Sequence, residues 1–515
     1  MNPPDRYDVV VLGAGPAGCA AAALLARRSH RVALVRPGSA PAERLGESVP
    51  PSARRILDEL GFLEAVDSAG FFGNRGNSVW WAGQDLRREV FADDQSGFHT
   101  DRAGLEAVLA EETERAGVSV LNGMTARTAE ETPDGWEVLC EDARPPDEDG
   151  RAVDLHNRGG IVLRAPWVID ATGRRGLIAR TEARELDRDT TTLALVGRWR
   201  RAGGWPDEDA HDTLVESYAD GWAWSVPLDP EVRCFTAMVD QRHSDLSGAD
   251  VARLLDVELE KTRYVGPTRE GAEPDGEAWA CPASLYTSAR FARRGLLLAG
   301  DAGSFIDPLS SFGVKKALSS GWLAGVVAHT ALVEPSMTET AVGFFDRREA
   351  EVYRRYRMAS VAFFESAAEA HGTSYWVDRA EAARRFRGSD DDGHADPDRL
   401  VTEVPEGDVR LAFDELRARE SLNAARGSTV RTFDRPAVRG QRIVLEPHLA
   451  SKAYPEGIRY VRGVDLIHLV EVAPQHAQVP DGWTAYNGVA PPVTLPDYLT
   501  ALATAFAAGL LEDSD

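Results

Sequence analysis

Six residues near the start of the chain could hold the phosphates of a nucleotide. They read GAGPAG from Gly13 to Gly18, between a β-rich run ending at Leu12 and an alanine-rich segment starting at Cys19. Glycines at this spacing let the backbone turn tightly, approach a pyrophosphate and pack a helix against a strand. This strand–loop–helix context predicts dinucleotide binding. The predicted contacts are Gly13, Gly15, Ala17 and Gly18.

The residue after the second predicted strand departs from the usual pattern. That strand runs from Arg31 to Val35, and an acid commonly follows it to bind a ribose hydroxyl; here Arg36 follows. A guanidinium suits a phosphate group, but it could equally point to solvent. Arg36 is therefore a candidate cofactor contact with two open interpretations.

A second group of residues that could take part in binding or catalysis lies about 280 positions later. The apolar run from Leu296 to Ala299 predicts a buried parallel strand, which stops at Gly300 and Asp301. Ligands of α/β sheets bind outside the carboxyl ends of the strands, where Asp301 can accept a hydrogen bond from a hydroxyl. The helix predicted from Gly313 offers free N–H groups to an anion or an electron-rich ring. An ordinary turn is the alternative.

Together with Asp101-Arg102, these segments carry a family resemblance. GAGPAG and LAGDAGSFIDP resemble the FAD-binding segments of flavoprotein aromatic monooxygenases and flavin-dependent halogenases, over roughly residues 5 to 375. The resemblance implies that FAD is the cofactor and that the glycine loop holds its pyrophosphate. It also implies that Arg102 helps to hold the cofactor and that Asp301 contacts the ribityl chain. Three further residues are expected near the isoalloxazine: Pro308, Gly313 and Val314.

A short turn after the second strand is a further cofactor candidate. It reads Gly46-Glu47-Ser48 and precedes a predicted amphipathic helix, so it could be simple capping chemistry. In the family that this chain resembles, a similar segment flanks the flavin, with an arginine at the spacing of Arg44. Arg44, Glu47 and Ser48 are therefore expected to contact the cofactor.

Aromatic residues at several positions would suit the wall of a substrate pocket. Phe72 and Trp80 flank a polar turn, and GWAWSVP from Gly221 resembles the WxWxIP motif of the halogenases. Packing of these rings into a sheet or against helices is the alternative for each. The predicted pocket residues are Phe72, Trp80, Trp222, Trp224, Phe312 and Glu365.

The details of the resemblance favour hydroxylation over halogenation. Asn74 stands where halogenases carry a lysine, and the segment from Ser310 to Gly313 lacks their glutamate and threonine. It is more similar to monooxygenases that hydroxylate a tryptophan of a partner polypeptide during tryptophylquinone formation. The expected catalytic residues are Asn74, Ser310, Ser311 and Lys315.

The resemblance implies a reaction as well as a site. We expect a FAD-dependent monooxygenase that uses O2 and hydroxylates an electron-rich ring through a flavin C4a-hydroperoxide. The ring would be an indole or phenol, on a natural-product intermediate or carried by a peptide, protein or other carrier. A halogenase, or a non-oxygenating oxidase or dehydrogenase, is the alternative. The DATG segment from Asp170 to Gly173 resembles halogenases, many of which receive reduced flavin from a separate reductase.

Composition excludes other classes of function. A net charge of −24 argues against nucleic acid or an anionic membrane as the main partner, because both require a basic face. Polar residues lead directly into the first predicted strand and no run of 18 apolar residues occurs, so we expect no signal peptide, no membrane span and a cytoplasmic location. Four scattered cysteines without a CxxC pattern fit a reducing compartment and predict no metal site.

The predicted fold class is α/β: a Rossmann-like FAD-binding domain with an inserted antiparallel substrate-binding sheet, followed by a small α+β domain. In that last domain Arg442–Leu445, Ile458–Val461 and Ile467–Val470 are predicted strands and Pro496–Leu511 a helix, as in a winged-helix module or a simple cap. The predicted domains are FAD-binding at 1-80, 100-185 and 285-335, substrate sheet at 81-99 and 186-284, helical segment at 336-387, linker at 388-399 and C-terminal domain at 400-515.

Overall fold

The computed structural model describes residues 6–38, 45–91, 96–142, 160–182, 184–187, 190–206, 209–241, 250–391 and 404–514. Arg44 and most of the predicted linker at 388–399 lie outside these ranges. The chain forms two compact units, Met1–Asp392 and Gly393–Asp515.

The first unit holds most of the strands. Its strands are β1 (Val9–Leu12), β2 (Val32–Arg36), β3 (Gly46–Val49), β4 (Phe72–Asn74), β5 (Gly76–Trp80), β6 (Arg87–Val90), β7 (Gly97–Asp101), β8 (Ser119–Asn122), β9 (Met124–Thr132), β10 (Gly135–Asp142), β11 (Ile161–Ala165), β12 (Trp167–Asp170), β13 (Arg184–Leu186), β14 (Thr192–Arg200), β15 (Asp212–Tyr218), β16 (Gly221–Pro227), β17 (Val232–Asp240), β18 (Glu273–Pro274), β19 (Trp279–Pro282), β20 (Tyr286–Ser288), β21 (Ala292–Arg293) and β22 (Leu296–Leu298).

The helices of the first unit vary greatly in length. They are α1 (Pro16–Arg27), α2 (Arg54–Glu59), α3 (Leu63–Ser68), α4 (Arg102–Arg115), α5 (Ala179–Glu182), α6 (Val251–Glu260), α7 (Gly313–Val333), α8 (Thr338–His371) and α9 (Ser374–Asp391). The last helix reaches Asp391 and so enters the predicted linker.

A six-stranded sheet forms the base of the first unit. Its order is β21-β22-β12-β1-β2-β8, and every neighbouring pair except β21-β22 is parallel. The residues of β1 are all buried, as expected for a parallel strand covered on both faces. Helix α1 packs against both α4 and α7. This arrangement confirms the predicted Rossmann-like fold.

A second, larger sheet is mostly antiparallel. It runs β18-β14-β17-β16-β15-β5-β6, with β19 also pairing to β14, and only β5 and β15 are parallel. It therefore includes Gly76–Trp80, which the predicted boundary at residue 80 assigns to the FAD-binding domain. The smaller sheet β3-β7-β4 brings the Glu47 segment next to Asn74 and Asp101.

The second unit combines helices with short strands. Its elements are α10 (Glu406–Arg417), β23 (Ala424–Arg426), β24 (Arg431–Arg439), β25 (Arg442–Ala450), β26 (Tyr460–Val461), β27 (Val464–Asp465), α11 (Leu466–Val472), α12 (Val479–Val489), α13 (Leu495–Ala507) and β28 (Leu511–Asp513).

One predicted element of this unit is wrong. Ile467–Val470 was expected as a strand, but it folds as part of α11. The Asp465 side chain caps this helix by accepting a hydrogen bond from Ile467 N at 3.0 Å. Leu466, Leu469 and Val470 then face the core at helical spacing, and this spacing outweighs the β-branched composition.

Among the described residues, no helix combines the length and the apolar character that crossing a membrane requires.

Candidate active site

The first unit contains a cavity of about 670 Å³, bordered by the carboxyl ends of the parallel strands and by the second sheet. This volume lies in the usual range of cofactor and ligand pockets, roughly 300–1,000 Å³. Its described lining has a glycine-rich, charged end and an end formed mostly by uncharged side chains, which we call the dinucleotide end and the sheet end.

The loop between β1 and α1 forms the base of the dinucleotide end. Gly13 has a φ of +98°, and a Cβ there would lie 2.4 Å from Ala171 O, so only glycine fits. Gly13, Gly15 and Ala17 line the cavity, whereas Gly18 does not. Gly18 instead lets α1 pack on the loop, because a Cβ there would lie 1.8 Å from Gly13 O. The free N–H groups at the start of α1 suit a phosphate.

A half-buried ion cluster lies beside this loop. Arg102 Nη1 lies 2.8 Å from Glu47 Oε1, and Arg102 Nε lies 3.1 Å from Glu106 Oε1. Burial raises the pKa of Glu47 above its ordinary value, although Arg102 opposes that shift. Burial also acts to lower the pKa of Arg102, but the two glutamates raise it overall. All three side chains line the cavity, so an incoming anion meets an arginine that is already paired.

The other predicted cofactor residues in the described part of the chain all line the cavity, except Val314. Arg36 lines the cavity at the end of β2, with its Nη1 3.4 Å from Asn122 Oδ1. Ser48, Asp301, Pro308 and Gly313 line it too, whereas Val314 is buried outside it.

Residues of the DATG turn were not predicted as contacts, yet they line the cavity. Ala171, Thr172 and Gly173 form part of the wall. Asp170 is fully buried, and its Oδ1 accepts a hydrogen bond from Thr172 Oγ1 at 2.6 Å. Its other oxygen accepts from Ile178 N at 2.8 Å, so this acid shapes the turn rather than contacting a ligand.

The sheet end is built from residues far apart in the sequence. Its strand residues come from β14, β15, β16, β17 and β19 and are uncharged. Arg174 also lines the cavity, and its Cζ lies 5.7 Å from the centre of the Phe305 ring. The uncharged residues of this end are Ala194, Thr213, Trp224, Val226, Thr236, Met238, Cys281, Ala283, Phe305 and Ile306. Of these, only Trp224 was predicted as a pocket residue. The period-two pattern of the strands was the available signal for the others.

Trp222 lies at a smaller neighbouring cavity of about 10 Å³, where Arg357 and Arg379 are also found. Arg357 pairs with Asp187 at 2.5 Å, and Arg379 lies 3.6 Å from Asp240. Asp307 lines both cavities, and burial raises its pKa.

Four other predicted pocket residues line neither cavity. Phe72 stacks on His211 with ring centroids 4.6 Å apart, and Trp80 stacks on Tyr264 at 4.7 Å. Phe312 packs against Tyr356 at 5.6 Å. Glu365 accepts a hydrogen bond from Arg384 Nε at 2.9 Å. The rings of Phe72 and Trp80 therefore pack on other side chains, as the alternative for these two residues predicts.

Among the predicted catalytic residues, Ser311 lines the cavity and adopts a left-handed φ of 53°. Ser310 lies outside it and donates a hydrogen bond to Asp307 O at 2.9 Å. Lys315 also lies outside, and its Nζ donates to Ser52 Oγ at 3.0 Å.

Asn74 is 1% exposed and does not line the cavity. Its Nδ2 donates to Ser48 Oγ at 3.0 Å, and its Oδ1 accepts from Gly76 N at 2.9 Å. Asn74 therefore reaches the cavity only through Ser48. In the part of the chain that the structure describes, no group of three or more His, Cys, Asp or Glu side chains is placed to hold a metal ion.

Comparison with known proteins places this site among flavoproteins. The tryptophan halogenase family model matches residues 82–386, and that of glucose inhibited division protein A matches residues 8–69. Tryptophan 2-halogenase of Chondromyces crocatus is 26% identical over 386 residues, which cover 73% of this chain and 71% of that protein. These matches confirm the resemblance predicted from the motifs.

Two solved structures share the fold along almost the whole chain. The flavin-dependent halogenase CmlS has a TM-score of 0.75 at 19% identity, covering 99% of this chain and 96% of its own. The peptidyl tryptophan dihydroxylase QhpG has a TM-score of 0.65 at 22% identity, covering 98% of this chain and 100% of its own.

The cofactor is FAD, as the sequence analysis predicted. The residues at the dinucleotide end fit it. The glycine loop leaves room for a pyrophosphate, the start of α1 offers N–H groups, and Arg102 and Asp301 offer a cation and a hydroxyl acceptor.

Proposed function

Because the chain belongs to the tryptophan halogenase family, we propose that it is a FAD-dependent oxidoreductase that halogenates an electron-rich aromatic ring with halide and O2. The family match and the named tryptophan 2-halogenase support halogenation better than the hydroxylation that the sequence analysis preferred.

The observation that carries this proposal is that one cavity has two unlike ends. FAD supplies the reactive oxidising chemistry once it is reduced and meets O2. The glycine loop, Arg102 and Asp301 hold the cofactor in the FAD-binding domain. The uncharged wall of the substrate sheet, including Trp224 and Met238, excludes water and packs on an aromatic ring. Ser311 is the candidate to hydrogen-bond a reacting group, because it lines the cavity.

We further propose that a separate flavin reductase supplies the reducing equivalents, as the DATG form of the turn suggests. A simple check is whether the purified protein oxidises NADH or NADPH without added reductase; rapid oxidation would contradict this part of the proposal.

Hydroxylation is the second candidate, and Asn74 is the observation that favours it. The chain has four lysines, and none of them lines the cavity. An amide cannot form the haloamine that the lysine of related halogenases can provide, and Asn74 is held by Ser48 and Gly76. A tryptophan carried on a peptide is a substrate to test under this candidate, because QhpG is named for that reaction.

One experiment separates the two candidates. The holoenzyme is supplied with a flavin reductase, NADH, bromide and ¹⁸O₂, and indole and phenol compounds are screened by mass spectrometry. Bromine in the product without ¹⁸O supports halogenation. One atom of ¹⁸O in the product, unaffected by bromide, supports hydroxylation and rejects halogenation. Oxygen consumption above that of the reductase, NADH and FAD without the enzyme, with neither product across the panel, would favour an oxidase.

A further inference from the structure

A buried ammonium lies directly behind the Asp301 turn. The side chain of Lys316 is 1% exposed, and its Nζ donates to Gly300 O at 3.0 Å and to Ser304 O. The same ammonium lies 3.6 Å from Asp301 Oδ1. All three donors of the ammonium therefore face the turn from Gly300 to Ser304, and one of them faces a carboxylate that lines the FAD cavity.

One helical turn further along α7, Ser320 contacts the backbone N–H of the same glycine whose carbonyl oxygen Lys316 contacts. Gly300 N donates to Ser320 Oγ at 2.8 Å, and Ser320 Oγ donates to Glu349 Oε2 at 2.9 Å. Glu349 lies on α8 and is 3% exposed. Gly300 has a φ of +64°, which glycine adopts without strain, so its own conformational freedom does not fix the turn and the contacts of its N–H and C=O groups do.

This placement of a lysine is unfavourable in two ways. Removing an ammonium from water costs several kcal/mol unless it is paired and hydrogen-bonded. Lys316 also lies in the first turn of α7, where the helix dipole favours anions rather than cations. A neutral side chain would fill the same space without either penalty. These penalties are offset by the contacts with the turn and with Asp301, together with the attraction between the ammonium and the buried Glu349 carboxylate.

We propose that Lys316 is a positioning residue, whose ammonium, together with Ser320 and Glu349, fixes the Gly300–Ser304 turn and orients the Asp301 carboxylate toward the FAD cavity. Lys316 contacts neither the cavity nor the reacting groups, so it acts on FAD through Asp301. This inference rests on FAD binding and is independent of whether the product is halogenated or hydroxylated.

The test is a double-mutant cycle on FAD affinity. The Kd of FAD is measured for the wild type, Lys316→Met, Asp301→Asn and the double variant, without substrate or halide. We expect Lys316→Met to weaken FAD binding about 10- to 100-fold, the effect of losing charge-assisted hydrogen bonds. Because Lys316 acts through Asp301, the two single effects should not multiply in the double variant.

Two further measurements separate positioning from general stability. Lys261→Met is the matched control, because Lys261 forms ion pairs with Asp220 and Glu258 outside the cavity; it should leave the FAD Kd and the visible spectrum of bound FAD unchanged. Lys316→Met should shift that spectrum, since the surroundings of the cofactor change.

Three results would overturn the proposal: an unchanged FAD Kd in Lys316→Met, single effects that multiply, or equal losses in the Lys261 control. If Lys316→Met does not fold, Ser320→Ala decides, because it keeps the ammonium and removes the partner of the Gly300 backbone N–H. A roughly threefold weaker FAD affinity at an unchanged melting temperature supports the proposal, and an unchanged affinity rejects it.

Discussion

The two ends of the cavity are built in different ways. The dinucleotide end is formed by loops that follow parallel strands, and its fit depends on the backbone at Gly13 and on charges such as Arg102. The sheet end is a surface of uncharged side chains from strands that are distant in sequence, such as Ala194 on β14 and Met238 on β17.

The difference shows what each end can recognise. Phosphates and sugar hydroxyls need N–H groups and charges at fixed positions, and these come from tight, local segments. Binding of a flat aromatic ring requires an apolar contact surface from which water is excluded. Many combinations of side chains can form such a surface. Cofactor binding should therefore respond sharply to single changes at one end, while substrate choice should respond gradually at the other.

The largest expected effect is at the glycine loop. Gly18→Val would place side-chain atoms where Gly13 O already lies, because even a Cβ would be 1.8 Å from it. We expect FAD binding to be lost, measured as the flavin content of the purified protein. Gly488→Ala, at a helical glycine of the second unit with no atom within 4 Å of an added Cβ, should retain full flavin content.

At the sheet end, Trp224→Ala should separate substrate recognition from cofactor binding. Loss of the ring removes an aromatic contact, so we expect the KM for an aromatic substrate to rise about tenfold. The FAD Kd should change by less than about threefold, since the charged end is intact. Trp80→Ala is the matched control, because Trp80 stacks on Tyr264 outside the cavity and should affect stability rather than KM. An equal loss of FAD affinity in Trp224→Ala would show that the two ends are not distinct.

The FAD affinity should also increase as pH falls. Burial already raises the pKa of Glu47 above its ordinary value of 4.5, and an anionic cofactor in the same cavity raises it further. Binding then takes up protons, so affinity is highest at low pH and declines as pH rises through the raised pKa, by less than about tenfold per pH unit. Calorimetry in buffers of different ionisation enthalpy measures this uptake. Glu47→Gln should reduce it, and an unchanged uptake in this variant would assign it to another group.

The smallest effect is expected at Arg36. This residue is partly exposed at the rim of the dinucleotide end, so Arg36→Ala should weaken FAD binding only about two- to fivefold. The difference should vanish at high ionic strength, because exposed charges are screened. Arg115→Ala, at an exposed arginine paired with Glu111 and Glu112, should have no effect at any salt concentration. A loss that persists at high salt would mean that Arg36 makes a buried contact.

Parts of the dinucleotide end could be located from the sequence because their constraints are local. GAGPAG must turn within a few residues, and Asp301 must follow a buried strand directly, so spacing alone places them. The sheet end was largely missed, since its members meet only after β14, β16, β17 and β19 pair. Phe72 and Trp80 are chemically as suitable as Trp224, but the register of β5 and the position of β4 turn them to other neighbours. In the second unit, Ile467–Val470 was mistaken for a strand because a run this short fits either period.

Two sulfur-containing side chains in the sheet end, Met238 and Cys281, have a consequence for how long the enzyme works. Thioethers and thiols are the side chains that oxidants attack first. An oxidising species that does not react with the aromatic substrate can therefore oxidise Met238 or Cys281, because both line the same cavity. Sulfoxide at Met238 would add a polar oxygen where the structure packs an apolar chain, and the pocket would lose its shape for a ring. The number of turnovers without product, rather than elapsed time, would then determine how long each enzyme molecule stays active. A substrate that fills the pocket would slow this inactivation.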